Sequence, residues 1–445
     1  MAQLDEVLDA LARGRMSARD YVDRLLTRID KREPLVHAFT ALDAVRARLA
    51  AAACDERRVA AARRGTALGA LHGLPVGVKD IFDTADLCTE YGSSAYAGNR
   101  PIHDAELVSR LKQAGAFVLA KTVTTEFAFR HPGATRNPWN IQHTPGGSSS
   151  GSAAAVSAGL VHAAIGTQTN GSVIRPAAFC GVVGYKPSLD TLPFGGALHF
   201  SPTLDQPGTF TRTVADVARF TSALTQSDAV PAQVAALTSP PRLGVITNFP
   251  WTALEPEAHA HWTATVARLN DAGAITTALN FTPPFHDAHR IHETIMFHEG
   301  AKQLAGRQRE HRARLSRKLN DAIDAGRRIS AGSYGEALAR RAVLIDLAAD
   351  FVDDFDAVIS PPAPSYAPAR LDTTGNAGFC TLWSLVGFPA LTVPSGLATT
   401  GVPFGIQIAA NAGNDAGLLS VASWIEHVLG SLHSTVSSSN RSDCA

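Results

Sequence analysis

The first 65 residues carry apolar side chains at the spacing of amphipathic helices. Apolar residues recur every three or four positions in two runs, at Leu4, Val7, Leu8 and Leu11 and then at Tyr21, Val22, Leu25, Leu26 and Ile29. Ser17 precedes the second run and is a good N-cap, because its hydroxyl can accept a hydrogen bond from a free backbone N–H. An alanine-rich helix is predicted over about 42–64. We expect these N-terminal helices, residues 1–65, to pack their apolar stripes on the body of the protein.

From Leu71 onward the pattern changes to short apolar runs bounded by glycine and proline. One of them, residues 74–78, predicts a buried strand that ends at Lys79. A helix is expected around 104–114. Further strands are predicted at 117–120, 161–165, 182–185 and 243–246. Strands that alternate with helices indicate a mixed or parallel sheet covered by helices.

The second half of the chain continues this alternation. Residues 293–352 have a helical pattern, short strands are predicted at 357–359, 391–393 and 405–408, and a closing helix covers 416–429. No linker is long enough to separate domains. The prediction is an α/β fold with one large domain, residues 1–432, in which α-helices cover a central twisted mixed β-sheet. The Ser-rich segment 433–445 is expected to be a flexible tail.

Composition favours an enzyme or a binder of small molecules. Lys plus Arg and Asp plus Glu number 40 each, so no overall field attracts nucleic acid or a membrane. We interpret the basic cluster at 302–318 as a solvated helix face, because no aromatic residues interleave with the charges. No run of about 18 apolar residues predicts a membrane span. The five cysteines are scattered, which predicts reduced thiols. The N-terminus contains acidic residues and lacks the pattern of a signal peptide, so we expect a cytoplasmic protein.

Two loops rich in glycine and serine have the most unusual composition in the chain. The first, residues 144–152, leads directly into a helix of small residues at 153–158, whereas a flexible linker would seldom interrupt packed structure in this way. The second, residues 166–176, contains Ser172 beside a glycine, but no G-x-S-x-G nucleophile elbow is present. Glycine lets the backbone approach a ligand closely, and serine supplies a small hydroxyl. The two loops are expected to converge near Lys79.

Lys79 could activate a serine without the help of a histidine. In apolar surroundings the charged form of a lysine is disfavoured, so its pKa falls and the neutral amine can accept a proton. By itself, however, a lysine at a strand end is more often solvated or paired with an acid, here Asp80.

Five blocks of sequence resemble the amidase signature family in the expected order and across nearly the whole chain. They are 71–80 (LHGLPVGVKD), 146–152 (GGSSSGS), 166–176 (GTQTNGSVIRP), 179–187 (FCGVVGYKP) and 387–394 (GFPALTVP). The resemblance implies the amidase signature fold and an amidase that needs no metal or organic cofactor.

The resemblance also implies a catalytic triad. Lys79 corresponds to the triad lysine, Ser172 to the nucleophile, and Ser148 to a bridging serine that follows a cis peptide bond after Gly147. Neutral Lys79 would take a proton from Ser148, which takes one from Ser172, and Ser172 would attack the amide carbon to form an acyl-enzyme.

The loop before the nucleophile is expected to form the oxyanion hole from the backbone N–H groups of Thr169, Asn170 and Gly171. This loop departs from the commonest family pattern. Gln168 stands where an aspartate is usual, Asn170 where a small residue is usual, and Arg175 lies one position later than the family arginine.

Gln168 and the Ser-Val-Ile-Arg order resemble a subgroup that includes malonamidase, in which the arginine binds a substrate carboxylate. Arg175 is therefore a candidate for recognising an anionic group on a small substrate, since its guanidinium can hold a carboxylate bidentately. A structural ion pair or a clamp on a backbone carbonyl is an equal alternative. Gln168, Gly147 and Phe129 are further candidates for substrate binding.

Other residues near these blocks are weaker candidates. Phe127 and Phe129 lie in a segment that lines the acyl site of the family, although packing in the core is the commoner role for such residues. Tyr91 and Trp383 are similar. His72 lies close to Lys79 in sequence, and we interpret it as a hydrogen-bonded structural histidine.

Three alternatives to a stand-alone amidase remain at this point. The signature is shared by the amidotransferase subunit that amidates glutamate on transfer RNA, which needs partner subunits. A hydrolase of carboxylated ureas or aryl amides is a second alternative, and a non-catalytic binding protein on the same scaffold is a third. The expected partner is a small-molecule amide, with no nucleic acid and no membrane, and the fold is compatible with a homodimer.

Overall fold

A mixed β-sheet runs through the residues that the computed structural model describes, 3–225, 228–430 and 432. Its strands are β1 (Phe39–Leu42), β2 (Pro75–Lys79), β3 (Phe117–Thr122), β4 (Ala164–Gln168), β5 (Val183–Lys186), β6 (Gln206–Thr211), β7 (Arg242–Ile246), β8 (Ile275–Leu279), β9 (Ala357–Ser360), β10 (Ala390–Leu397) and β11 (Pro403–Ala409). Their spatial order is β1-β3-β2-β4-β6-β5-β10-β11-β9-β7-β8.

Strand β2 pairs in parallel with β3 and β4, and β7 with β8 and β9, whereas the other neighbouring pairs are antiparallel. The flanking helices are α1 (Leu4–Ala12), α2 (Ala18–Val36), α3 (Ala44–Arg64), α4 (Glu106–Gln113), α5 (Ser150–Ser157), α6 (Ile174–Cys180), α7 (Val214–Ser222), α8 (Pro256–Asp271), α9 (Pro283–His286), α10 (Ala288–His311), α11 (Arg317–Gly326), α12 (Ala331–Asp353), α13 (Thr381–Val386) and α14 (Asp415–Leu429). The predicted α/β fold, one domain with a central mixed sheet, is confirmed.

The N-terminal helices form as the periodicity predicts. The apolar residues of both runs are buried in α1 and α2, and the Ser17 hydroxyl accepts from the Asp20 N–H at 2.9 Å. The next helix starts later than predicted. Residues Phe39–Leu42 form β1, which pairs with β3, and Asp43 caps the helix that follows. Sheet pairing here overrides the helix propensity of Ala41 and Leu42.

Three strands are not predicted by the pattern of apolar residues. Besides β1, these are β6, which contains Pro207 and Gly208, and β8, where Ile275 is exposed at the edge of the sheet. Gly208 is required by close packing, because a Cβ there would lie 2.7 Å from the Tyr185 carbonyl oxygen. The helical segment predicted at 293–352 is divided into α10, α11 and α12, of which the last two begin after serine N-caps.

Two helices made mainly of small or apolar residues lie at the centre of the molecule. Every residue of α5 and α6 is buried. Gly151 in α5 has no room for a side chain, since a Cβ would lie 2.2 Å from the Ala38 carbonyl oxygen and 2.3 Å from the Val123 amide nitrogen. This close approach brings the two Gly/Ser loops against the ends of β2 and β4. The expected flexible tail, 433–445, lies outside the described residues.

Candidate active site

Lys79 and the two serines approach one another because β2 and β4 are parallel neighbours. Lys79 is the last residue of β2, Ser172 lies between β4 and α6, and Ser148 lies just before α5. Ser148 and Ser172 line a cavity of about 670 Å³. The structure thus brings together the residues that were predicted to form the triad.

The Lys79 amine is completely buried and bonded to hydroxyl groups. Its Nζ lies 2.7 Å from Ser148 Oγ and 2.8 Å from Thr167 Oγ1. Burial lowers the pKa of Lys79 well below its ordinary value, and the charge of Asp205 opposes this shift only in part. The alternative of an ion pair with Asp80 is wrong, because Asp80 faces the buried Lys121 at 3.5 Å.

The hydrogen bond between Lys79 and Ser148 corresponds to the first step of the predicted proton relay. The Gly147–Ser148 peptide bond is cis, as the family resemblance implied. Ser148 and Ser172 are 4% and 8% exposed, so each hydroxyl is nearly shielded from solvent while still lining the cavity. Among the described residues, no hydrogen bond joins these two hydroxyls. The second link would have to form when substrate reaches the cavity, as apo-enzyme contacts often tighten only in the complex.

The side chain of Gln168 supports the loop that carries Ser172 and lies outside the cavity lining. Its Oε1 accepts from the N–H groups of Val173 and Ile174 at 2.8 and 3.0 Å, and its Nε2 donates to Ser384 Oγ at 3.0 Å. These bonds satisfy amides at the start of α6 that have no partner within the helix. Gln168 has a positioning role here, which corrects the predicted substrate contact.

The loop 169–172 turns its carbonyl groups toward the protein. The carbonyls of these four residues accept, in order, from His292 Nε2, Ser384 Oγ, the Arg175 N–H and the Ser149 N–H. The backbone N–H groups of the same four residues form no hydrogen bond within the described chain, and all four residues line the cavity. Free amides beside a nucleophile can bind a developing oxyanion. This geometry agrees with the predicted roles of Thr169, Asn170 and Gly171.

Asp205 anchors this loop and was not found from the sequence. Its carboxylate accepts from Thr169 Oγ1 at 2.5 Å and from the N–H groups of Phe200 and Ser201 at 2.8 and 2.9 Å. An acidic residue outside the recognisable blocks carries no signal of such a role in a single sequence.

Arg175 is a buried cation in the cavity wall. Its Nη2 donates to the Gly147 carbonyl at 2.6 Å and to Thr374 Oγ1 at 3.2 Å, its Nε has no partner, and no acid of the described chain pairs with it. Burial lowers the pKa of Arg175 to about 10, so the group stays charged at neutral pH. The structure shows the predicted clamp on a backbone carbonyl, and the Nε–H of Arg175 remains available as a donor. Gly147 itself is outside the cavity lining and contributes this carbonyl.

One wall of the cavity is aromatic. Phe129, predicted to contact substrate, lies in the lining and stacks on Phe200 with ring centroids 4.9 Å apart. Phe297 meets Phe129 edge-on at 6.0 Å, and the Arg130 guanidinium lies over both rings.

Segments outside the signature blocks supply cavity residues that the sequence did not identify. Helix α10 contributes one face of side chains, His289, His292, Glu293, Met296 and Phe297. The segment before α13 contributes all six residues of 373–378. The weaker candidates Phe127, Tyr91, Trp383 and His72 are buried and lie outside this lining, as expected for core residues.

Within the described ranges, no group of three or more histidine, cysteine, aspartate or glutamate side chains is arranged to hold a metal ion. No helix in the same part of the chain has both the length and the apolar character needed to cross a membrane.

Comparison with known proteins identifies the family of this chain. Residues 20–419 match the family model described as Amidase. A glutamyl-tRNA(Gln) amidotransferase subunit from Cereibacter sphaeroides is 34% identical over 485 residues, with 96% of each chain covered. A crystal structure of an amidase gives a TM-score of 0.88 at 30% identity, covering 96% of this chain and 100% of the other. The peptide amidase from Stenotrophomonas maltophilia gives 0.80 at 28% identity, covering 96% and 97%. The chain therefore belongs to the amidase family of hydrolases.

Proposed function

We propose that this protein hydrolyses a small linear carboxylic amide to the acid and ammonia or an amine, through an acyl-enzyme on Ser172. The observation that carries the proposal is the Lys79 amine, fully buried and 2.7 Å from Ser148 Oγ. A buried amine without an acid hydrogen-bonded to it favours its neutral form, which is the form that accepts a proton.

The reaction would proceed in two halves. Lys79 takes the Ser148 proton while Ser148 takes the Ser172 proton, and Ser172 Oγ bonds to the amide carbon. The carbonyl oxygen becomes an oxyanion beside the free N–H groups of the loop 169–172. The proton returns through Ser148 to the leaving nitrogen, the C–N bond breaks, and an ester remains on Ser172. Water activated by the same relay then hydrolyses the ester and restores Ser172.

Arg175 suggests that the substrate carries a carboxylate. The guanidinium lines the cavity three residues after the nucleophile, keeps an unpartnered Nε, and has no acid beside it. A buried cation without a counter-ion is costly, and a bound carboxylate would offset that cost. The aromatic wall formed by Phe129 and Phe200 offers room for an apolar portion of the same molecule.

A second candidate is a role as the amide-cleaving component of a tRNA-dependent amidotransferase. It is favoured by the 34% identity to a protein of that kind over nearly the whole chain. Activity in such an assembly would depend on partner proteins, whereas a stand-alone amidase needs none. Turnover by the purified chain alone separates the two proposals, and glutaminase activity that appears only with added partner proteins would favour the second.

The test is a panel of small amides, amic acids and aryl amides, scored by release of ammonia or amine. We expect turnover of at least one member and labelling of the wild-type protein by a fluorophosphonate probe. Ser172→Ala should abolish both while the melting temperature stays near that of the wild type. Normal turnover by the purified Ser172→Ala variant would end the proposal. Equal kcat/KM on an amic acid and its neutral ester would remove the carboxylate role of Arg175 alone.

A further inference from the structure

His292 is a completely buried histidine that contacts the nucleophile loop from outside the signature blocks. It lies on α10, lines the cavity, and its Nε2 is 2.9 Å from the Thr169 carbonyl oxygen. A carbonyl oxygen can only accept, so Nε2 must carry the proton. Burial lowers the pKa of His292 to about 4, so the ring is neutral at physiological pH and its one proton is the one donated to Thr169.

This hydrogen bond determines the direction of the next amide. The Thr169–Asn170 peptide is trans, and in a planar trans peptide the N–H points opposite to the C=O. Because His292 holds the carbonyl toward α10, the Asn170 N–H is directed away from that helix. The Ser384 hydroxyl holds the following carbonyl in the same manner from α13. Donors on α10 and α13 thus set the directions of two successive backbone N–H groups, those of Asn170 and Gly171.

We propose that His292 is a positioning residue for the oxyanion hole, acting through the Thr169–Asn170 peptide without touching the reacting atoms. The inference rests on the proposed amide hydrolysis at Ser172. Preorganised donors stabilise a developing oxyanion because they need not reorient during the reaction. Without the His292 donor, the peptide can rotate about its flanking dihedrals, and the Asn170 N–H would have to be aligned at a cost in the transition state.

A pair of variants with side chains of equal length isolates this hydrogen bond. Gln carries an amide donor at its end, and Met has a similar length without a donor. His292→Met should lower kcat by about 10–100-fold with KM changed less than about threefold, a smaller loss than removal of an oxyanion donor itself. His292→Gln should recover kcat to within about fivefold of the wild type.

The matched control is His298 on the same helix. Its Nδ1 also faces a backbone carbonyl, that of Ile329 at 3.2 Å, but it lies outside the cavity. His298→Met should leave kcat and KM at wild-type values, and any loss of helix stability should appear only in the melting temperature.

Binding of an alkyl boronic acid, which forms an anionic tetrahedral adduct on the serine, supplies an independent measurement. His292→Met should weaken the boronic acid by the same factor as kcat and leave binding of the product acid unchanged. The inference is overturned if His292→Met keeps wild-type kcat and boronate affinity, if only KM changes, or if His292→Gln is as impaired as His292→Met. Failure of the proposed function is distinct, because the wild type itself would then lack Ser172-dependent turnover and labelling.

Discussion

Replacing Lys79 by methionine should lower the activity of the protein and raise its stability. Methionine fills nearly the same volume but has no amine, so the base of the relay is lost. General bases contribute about 10²–10⁴-fold to the rate, and kcat should fall by that factor. In the wild type, kcat/KM should rise with pH along its acidic limb, because only the neutral amine accepts a proton.

The stability of the variant should rise at neutral pH. Burial lowers the pKa of Lys79 in the folded protein. For the neutral amine that the proposed relay requires, folding at pH 7 removes a proton from a group whose unfolded pKa is about 10.4, at a cost of about 4–5 kcal/mol. Lys79→Met has no amine to deprotonate, so its folding does not carry this cost. It loses the hydrogen bonds to Ser148 and Thr167, worth about 1–2 kcal/mol in total because both hydroxyls can reorient. The expected net gain in the free energy of unfolding is about 2–4 kcal/mol.

The pH dependence gives the sharpest test of a neutral Lys79. Between the folded and the unfolded pKa, the cost of burying the amine shrinks by about 1.4 kcal/mol per pH unit. The gain of Lys79→Met, measured by urea unfolding at pH 7, 8 and 9, should therefore decline and disappear near pH 9. A pH-independent difference over this range would mean that Lys79 is charged in the folded protein, and the proposed base would be refuted.

Lys121 on the neighbouring strand is the matched control. It is also fully buried, but it faces Asp80 at 3.5 Å, and its pKa is lowered only to about 8, so it is charged at pH 7. Lys121→Met leaves Asp80 buried without a cation and should destabilise the protein by about 3–5 kcal/mol. A loss of stability in both variants would assign Lys79 an ordinary structural role.

Substitutions at three further residues test the surroundings of Ser172. Arg175→Gln should lower kcat/KM for a carboxylate-bearing amide by about 10–100-fold, as expected for a charged hydrogen bond, and barely affect a neutral analogue in the same steady-state assay. Gln168→Met leaves two buried N–H groups without an acceptor and should lower the free energy of unfolding, measured by urea titration, by about 2–6 kcal/mol. Gln168→Glu keeps the acceptor, so its free energy of unfolding should fall by less in the same titration. Gly171→Ala places a Cβ 2.9 Å from Ala377 Cβ and 3.1 Å from the Cys380 side chain, so the loop must shift, and kcat should fall by about 10²-fold while the circular dichroism spectrum stays native. Unchanged values in any of these assays would contradict the role given to that residue.

The sequence determined the elements whose burial follows from apolar side chains alone. The apolar stripes of α1 and α2 could be predicted because apolar residues recur in them at helical spacing. The buried strand before Lys79 could be predicted because it is a short run of apolar residues. The order of the five signature blocks identified the family and predicted Lys79, Ser148 and Ser172 as its triad. None of this required knowledge of which distant residues meet.

Tertiary structure decided the elements and roles that depend on distant partners. Strand β6 contains proline and glycine and is a strand only because β4 and β5 pair with it. Gln168 departs from the commonest family pattern and was predicted as a candidate for substrate binding. The structure shows its side chain bonded to amides of its own loop and to Ser384, more than two hundred residues away in sequence.

The same distinction applies to the site itself. The residues of the proposed triad could be predicted from the sequence because they lie within short blocks that resemble the family. His292, Asp205 and Phe200 come from segments with no such local signature, and only the folding of the chain brings them to the site that holds Ser172. A side chain that acts through a single hydrogen bond to a distant backbone group leaves no pattern along the sequence, because its role is defined by its partner in space.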